Sequence, residues 1–228
     1  MRPICKTAIT CVLVIVAFPN FLNAQDEYGE DSKLNTNMAI PLSVPLNPLA
    51  KSVNFGLGTT VGAGYNLSRR NAIVAEFMWN RLFVSSETLA PLRLALHSNS
   101  LNGHGNLYAF TANYRFELRG HSLGTYFIAG GGLYYRNANL TQHVVVGTAT
   151  TCIREWLFWG FTCTAGTVSS DQTLASASSG TLGANGGIGF TVKVGEPRYR
   201  LYFEARYHYA PSTRINTQII PITMGIRF

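Results

Sequence analysis

The sequence predicts an all-β chain: an eight-stranded antiparallel up-and-down β-barrel that crosses a membrane. Three observations predict it. Segments of about 10–14 residues alternate apolar and polar side chains with a period of two, the mark of a strand with one greasy face and a length suited to a tilted membrane crossing. The connections between them alternate short and long, as tight turns on one side of a membrane and loops on the other require. The final segment, Thr217–Phe228 (TQIIPITMGIRF), places Ile220, Ile222, Met224, Ile226 and Phe228 on one face. An apolar edge strand of that kind in water invites aggregation unless it is covered or paired. Pairing it with the first strand closes the sheet on itself.

The start of the chain is read separately. Residues 1–24 have the form of a secretory signal peptide. Arg2 and Lys6 give a basic start, Ala8 to Phe18 an apolar run, and Leu22-Asn23-Ala24 a small residue at the cleavage point. The apolar run is about half of the ~20 residues a membrane-spanning helix needs. Residues 25–36 are polar and acidic (Asp26, Glu27, Glu30, Asp31) and read as a flexible periplasmic leader, and 37–228 as the barrel.

The first strand, 37–46, alternates Met38, Ile40, Leu42, Val44 and Leu46 with Asn37, Ala39, Pro41, Ser43 and Pro45. The two prolines are its defect, because proline brings no donor to a ladder. The second, 52–66, sets Val53, Phe55, Leu57, Val61, Ala63 and Tyr65 against Gly56, Gly58, Gly62 and Gly64. Glycines on an inner face relieve crowding and permit curvature. The third, 71–83, turns Ile73, Ala75, Phe77, Trp79 and Phe83 outward and Glu76 and Asn80 inward. A long connection, 84–104, follows, with a helical turn around Leu92–Leu96. The fourth strand, 105–118, is the clearest: Tyr108, Phe110, Ala112, Tyr114 and Phe116 oppose Thr111, Asn113, Arg115 and Glu117. The fifth, 123–136, carries aromatics on both parities, so its facing is open. Residues 137–179 read as the longest connection, ending in a Ser/Thr/Ala/Gly tract. The sixth strand spans 181–194. The seventh, 199–209, sets Leu201, Phe203, Ala205, Tyr207 and Tyr209 against Tyr202, Glu204, Arg206 and His208. The eighth is the terminal segment.

Periodicity does not say which face is inside. A secreted sandwich or a lipocalin-like barrel would bury the apolar face. Two features favour lipid outside: the polar faces are poor in Lys and rich in Gly, Asn and Thr, unlike a solvated surface, and the apolar faces carry too many large aromatics for a small interior. Aromatics also gather near strand ends, where rings suit headgroup depth. Trp79, Phe83, Tyr108, Tyr207 and Tyr209 fall at the loop ends, and Tyr65, Tyr114, Phe116 and Phe228 at the turn ends.

With these residues in view, 38–228 resembles the OmpA/OmpX-type eight-stranded bacterial outer-membrane β-barrel domain family. The resemblance is carried by the signal peptide, by hairpins such as NLYAFTANYRFELRGHSLGTYFIAGGGLYYR, and by the terminal GIRF. It implies location in the bacterial outer membrane and contact with its lipids. The terminal strand of such barrels typically finishes on Phe, so the resemblance implies that Phe228 acts as a terminal assembly signal, read by the barrel-assembly machinery. Fold resemblance implies no particular activity.

Charged residues are 13% of the chain, aromatics 12%, and the formal net charge is +7. That excess suits anionic headgroups; without a Lys/Arg cluster beside an aromatic platform it is no nucleic-acid footprint. No phosphate loop, metal box or dinucleotide fingerprint occurs, so no cofactor or metal is expected. Cys152 and Cys163, an isolated pair in an exported chain, read as a disulfide.

Three constellations remain. The inward set Glu76, Arg115, Glu117, Glu204, Arg206, His208 and Arg227 is expected to form a salt-bridged network filling the lumen, since eight strands leave room for little beyond side chains. The alternative is a narrow porin-like channel. Arg206–Ser212 (RYHYAPS) loosely resembles the strand carrying the catalytic His and Ser of outer-membrane lipid A deacylases, with His208 as base, Ser212 as nucleophile and Glu204 orienting. The spacing departs from that family, which places Ser two residues after His, where this chain has Ala210. The last strand also lacks a partner acid. The third constellation is the cluster Trp156, Leu157, Phe158, Trp159 and Phe161 between the cysteines, suited to a partner or a membrane surface. The reading that results is non-enzymatic: a barrel with a filled lumen that presents loops 84–104 and 137–179 to an extracellular ligand.

Overall fold

The computed structural model describes residues 33–228 apart from 99, 121, 156–159, 196–198 and 214. Residues 1–24 and most of the leader therefore lie outside the described residues, as do Trp156, Leu157, Phe158 and Trp159.

Eight strands form one closed sheet in chain order: β1 (Leu34–Pro45), β2 (Val53–Asn66), β3 (Asn71–Val84), β4 (Leu101–Arg119), β5 (Leu123–Glu155), β6 (Gly160–Lys193), β7 (Arg200–Ala210) and β8 (Thr217–Arg227). Every neighbouring pair is antiparallel, and β1 pairs β8 from Asn37↔Arg227 to Pro45↔Ile219. The apolar edge anticipated for the last strand is thus sealed by the first. Closure spares the bilayer any unpaired backbone. The first strand starts at Leu34, so 34–36 belong to the barrel rather than to the leader.

Pro41 is accommodated on one side of β1. The ladder to β8 runs unbroken, whereas that to β2 passes from Ala39↔Thr60 to Leu42↔Leu57 and skips Ile40 and Pro41. A missing donor opens one ladder and leaves the other intact.

The facing is apolar outward. Phe110 is 58% exposed while Glu204, on the opposite parity of its own strand, is 6% exposed. Met38, Ile40, Leu42 and Val44 face out; Asn35, Asn37, Ala39 and Ser43 face in. The open question of strand β5 is resolved in the same sense. Phe127, Leu133 and Tyr135 point to lipid, and Tyr126, Ile128 and Tyr134 into the lumen. Tyrosine can do this because its ring packs while its hydroxyl finds a polar partner. Inward glycines make room for them. A Cβ at Gly189 would sit 2.3 Å from Tyr126 Cζ and one at Gly183 2.7 Å from Tyr134 Cδ2, while at Gly132 it would meet the Phe110 carbonyl oxygen 2.0 Å away.

Two expectations are corrected. The connection after β3 is shorter than 84–104, since β4 already begins at Leu101. It holds a true helix, α1 (Ser86–Ala95), whose first turn is capped by the Ser85 side chain accepting from the Glu87 N–H at 3.3 Å. The larger correction concerns 137–179, which is not a loop. Strands β5 and β6 continue through it, paired from Leu123↔Val192 out to Glu155↔Gly160. The pairing survives because backbone hydrogen bonds need no greasy face, while the expectation relied on one.

Candidate functional site in the lumen and beyond the rim

The lumen is best followed along β7, whose inward residues climb from the turn end to the loop end: Arg200, Tyr202, Glu204, Arg206, His208, Ala210. Arg206 is the centre. Its Nη1 lies 2.5 Å from Glu76 Oε2 on β3, and its Nη2 2.6 Å from Glu204 Oε1. One guanidinium thus serves two carboxylates from different walls. Neutral donors complete the two carboxylates: Asn37 Nδ2 donates to Glu76 Oε1 at 2.9 Å and the Tyr126 hydroxyl to Glu204 Oε2 at 2.9 Å, while Asn113 Nδ2 shares Glu76 Oε2 with Arg206, at 2.8 Å. Asn185 Nδ2 in turn donates to Asn113 Oδ1 at 2.9 Å. Buried charge is tolerated only when paired and hydrogen-bonded in this way.

Nearer the turns, Arg227 Nη1 donates to Glu117 Oε2 at 3.2 Å, and its guanidinium lies over the Tyr126 and Tyr202 rings at 4.9 and 5.2 Å. Arg115 Nε approaches Glu117 Oε2 at 3.6 Å. All seven charged or titratable residues expected in the lumen are buried there. The sequence reading left Asn37, Asn113, Asn185, Tyr126, Tyr134, Tyr202 and Arg200 out of the network. Parity would have found most of them; for Tyr126 and Tyr134 the usable signal is their shared parity with Gly130 and Gly132.

Toward the loops the interior turns apolar. Met78, Leu82, Leu107, Ala109, Tyr134, Ala210 and Ile219 pack together under Leu49 and Val53. Below this plug a cavity of about 10 Å³, bordered by Glu76, Glu204, Arg206 and His208, has room for one water.

His208 and Ser212 have separate partners. His208 Nδ1 shares a hydrogen bond with the Tyr134 hydroxyl at 2.8 Å, and the imidazole is buried. Ser212 Oγ accepts from Arg136 Nη2, and Glu204 is held by Arg206 and Tyr126. Nucleophile, base and orienting acid are therefore engaged with three different sets of groups. Among the described residues, no group of three His, Cys, Asp or Glu side chains is placed to hold a metal.

Outside the rim lies the second candidate region. Strand β4 last pairs β5 at Leu101↔Gln142, and β7 first pairs β6 at Ala184↔Tyr209. From His143↔Asp171 outward, β5 and β6 pair with each other alone. At a rise of ~3.3 Å per residue this ribbon projects roughly 40 Å. Its root is tied to the β3–β4 connection by Gln142 Nε2 donating to Ser98 Oγ at 3.0 Å and Ser100 Oγ donating to the His143 carbonyl at 2.8 Å. Cys152 and Cys163 stand opposite each other in register near the tip.

No family model matches the chain, and no curated protein matches it. Solved structures do match in shape. Neisserial surface protein A (NspA) superposes with a TM-score of 0.50 at 15% identity, over 86% of this chain and 96% of that one. In fold, this chain is an OmpA/OmpX-type outer-membrane β-barrel. Two further similar structures are Ail, the attachment invasion locus protein of Yersinia pestis (TM-score 0.48, 13% identity, 86% of this chain and 97% of that one), and the N-terminal β-barrel domain of Pseudomonas aeruginosa OprF (0.42, 14%, 86% and 98%). A closed sheet with its apolar face outward is built for a bilayer, and barrels of this form span bacterial outer membranes. The outer-membrane barrel thus has two distinct features: an interior filled by side chains and an exposed two-stranded ribbon.

Proposed function

We propose that this outer-membrane barrel is a non-enzymatic anchor that presents the β5–β6 ribbon, with the α1 connection at its root, to an extended segment of an extracellular protein. The observation that carries this reading is the bare edge of β6 from Gly160 through Gly183, which has no β7 partner. Such an edge offers a row of free N–H and C=O groups, the template used when a peptide adds a strand to a sheet. Its described residues include Ser169, Ser170, Thr173, Ser176, Ser178 and Ser179, with Asp171 as the lone acid from 166 to 183 and neither Lys nor Pro to discourage pairing. Cys152 and Cys163 form a disulfide near the tip in this reading, holding the ribbon in register. The last strand, ending in Phe228, is the segment the barrel-assembly machinery recognises, and 1–24 the signal removed on export.

The test replaces 143–171 with a two-residue turn that joins Gln142 to its ladder partner Gln172, in cells displaying the barrel. Binding of soluble extracellular-matrix proteins to those cells should fall to background while heat-modifiable gel mobility, the sign of a folded barrel, persists. Undiminished binding by the truncated barrel refutes the ribbon's role. The packed lumen supports the absence of a conduit, with planar-bilayer conductance expected at baseline. The separate partners of His208 and Ser212 support the absence of lipid A deacylation.

A further inference from the structure

The turn end of the barrel carries a surface that neither the lumen nor the ribbon explains. Lys33, Arg69 and Arg70 are exposed there. The backbone brings them together: Asn66 N–H donates to the Lys33 carbonyl at 2.7 Å, and Arg69 and Arg70 occupy the turn that follows, closed by Leu67 N–H and Ser68 N–H donating to the Asn71 carbonyl at 2.8 and 3.1 Å. Directly inboard runs a row of side chains across four strands in register, Leu34↔Tyr65, Tyr65↔Ile73 and Ile73↔Tyr114, all exposed on the lipid face. The Tyr114 hydroxyl donates to Asn71 Oδ1 at 2.6 Å, so one ring of the row is tethered to the turn that carries the cations. Glu117, the acid that the described residues place at this end, points inward and is taken up by Arg227.

Amphipathic rings settle at headgroup depth. Cations just beyond them lie level with lipid phosphate, and an arginine fork grips phosphate through two parallel hydrogen bonds. We infer that Lys33, Arg69 and Arg70, with Tyr65 and Tyr114, form a binding surface for the headgroup of an anionic glycerophospholipid in the leaflet facing the periplasm. A lipid is preferred to a free phosphate because the Leu34–Tyr114 row supplies the wall against which acyl chains lie. The leaflet, though not the headgroup, rests on the reading above that the long ribbon is extracellular.

The experiment uses the folded full-length mature barrel in detergent and measures retained lipid by native mass spectrometry, with phosphatidylglycerol and phosphatidylethanolamine as probes. Phosphatidylglycerol should be retained preferentially. The triple variant Lys33→Gln, Arg69→Gln, Arg70→Gln should lose that preference, with about a five-fold loss in affinity per cation removed. A control that removes two cations at the loop end, Lys51→Gln with Arg81→Gln, should keep it, whereas Arg69→Gln with Arg70→Gln, matched to it in charge, should not. Asp26, Glu27, Glu30 and Asp31 lie upstream in the sequence, so all variants retain that stretch and the readout is their difference. Gel mobility checks folding, and Arg70→Gln alone serves if the triple variant does not fold. Unchanged retention in the turn variants, equal loss in the control, or displacement of the lipid by inorganic phosphate alone overturns the proposal. Protease accessibility on whole cells reports orientation independently: turns found outside would overturn the leaflet assignment and the ribbon's role together, and leave the detergent measurement of the headgroup site intact.

Discussion

Strands β5 and β6 live in two surroundings, and the chain treats them differently in each. Inside the barrel both have a neighbour on either side, lipid on one face and a packed lumen on the other. There the side chains sort strictly: Phe127, Leu133 and Tyr135 outward, Tyr126, Ile128 and Tyr134 inward. In the ribbon each has one neighbour and water on both faces. There the sorting vanishes into Ser, Thr, Ala, Gly and scattered Val, with Val145, Val146 and Val168 all exposed. Alternation therefore records the difference between two faces, not the presence of a strand.

That contrast can be broken most severely at the lumen centre. Arg206→Met should cost about 3–5 kcal/mol, because Glu76 and Glu204 are left buried without their cation; the urea midpoint of the folded barrel reads it. Adding Glu76→Gln and Glu204→Gln should recover much of the loss, since the unpaired charges go with it. Next comes the lipid face. Phe110→Arg should cost about 2–4 kcal/mol if it lies near the bilayer midplane, seen as a lower yield of folded barrel in vesicles. Gly132→Val should cost about 1–3 kcal/mol or more through overpacking against the Phe110 carbonyl, visible as loss of the heat-resistant compact gel band. The smallest effect sharpens the comparison from the other side. Thr148→Ala in the ribbon should change the stability read from urea unfolding by less than about 0.5 kcal/mol, as exposed substitutions away from packed features do.

The same contrast explains what the sequence disclosed. Barrel strands were readable because every second residue meets lipid, as Tyr108, Phe110, Ala112 and Tyr114 do on β4. The charged lumen residues were readable because β7 puts Glu204, Arg206 and His208 on a single parity. Strand β5 was not, because tyrosine serves both sides: Tyr135 meets lipid by its ring, while Tyr134 meets His208 by its hydroxyl. Residues 143–179, part of the stretch 137–179, read as a loop for a deeper reason. A ribbon wetted on both faces has no period to display, and its Ser/Thr/Ala/Gly tract resembles a linker. The apolar plug of Met78, Leu82, Leu107 and Ile219 was likewise invisible while the interior was assumed polar throughout.

The Glu76–Arg206–Glu204 contact ties β3 to β7, strands separated by three others on either path round the ring. A hoop of hydrogen-bonded strands resists stretching but flattens easily into an oval, since flattening breaks no rung of the ladder. A tie across the diameter opposes that distortion directly. The ion pair thus acts as a spoke, keeping the cylinder round against lateral pressure from the surrounding lipid in a way that pairing between adjacent strands alone does not.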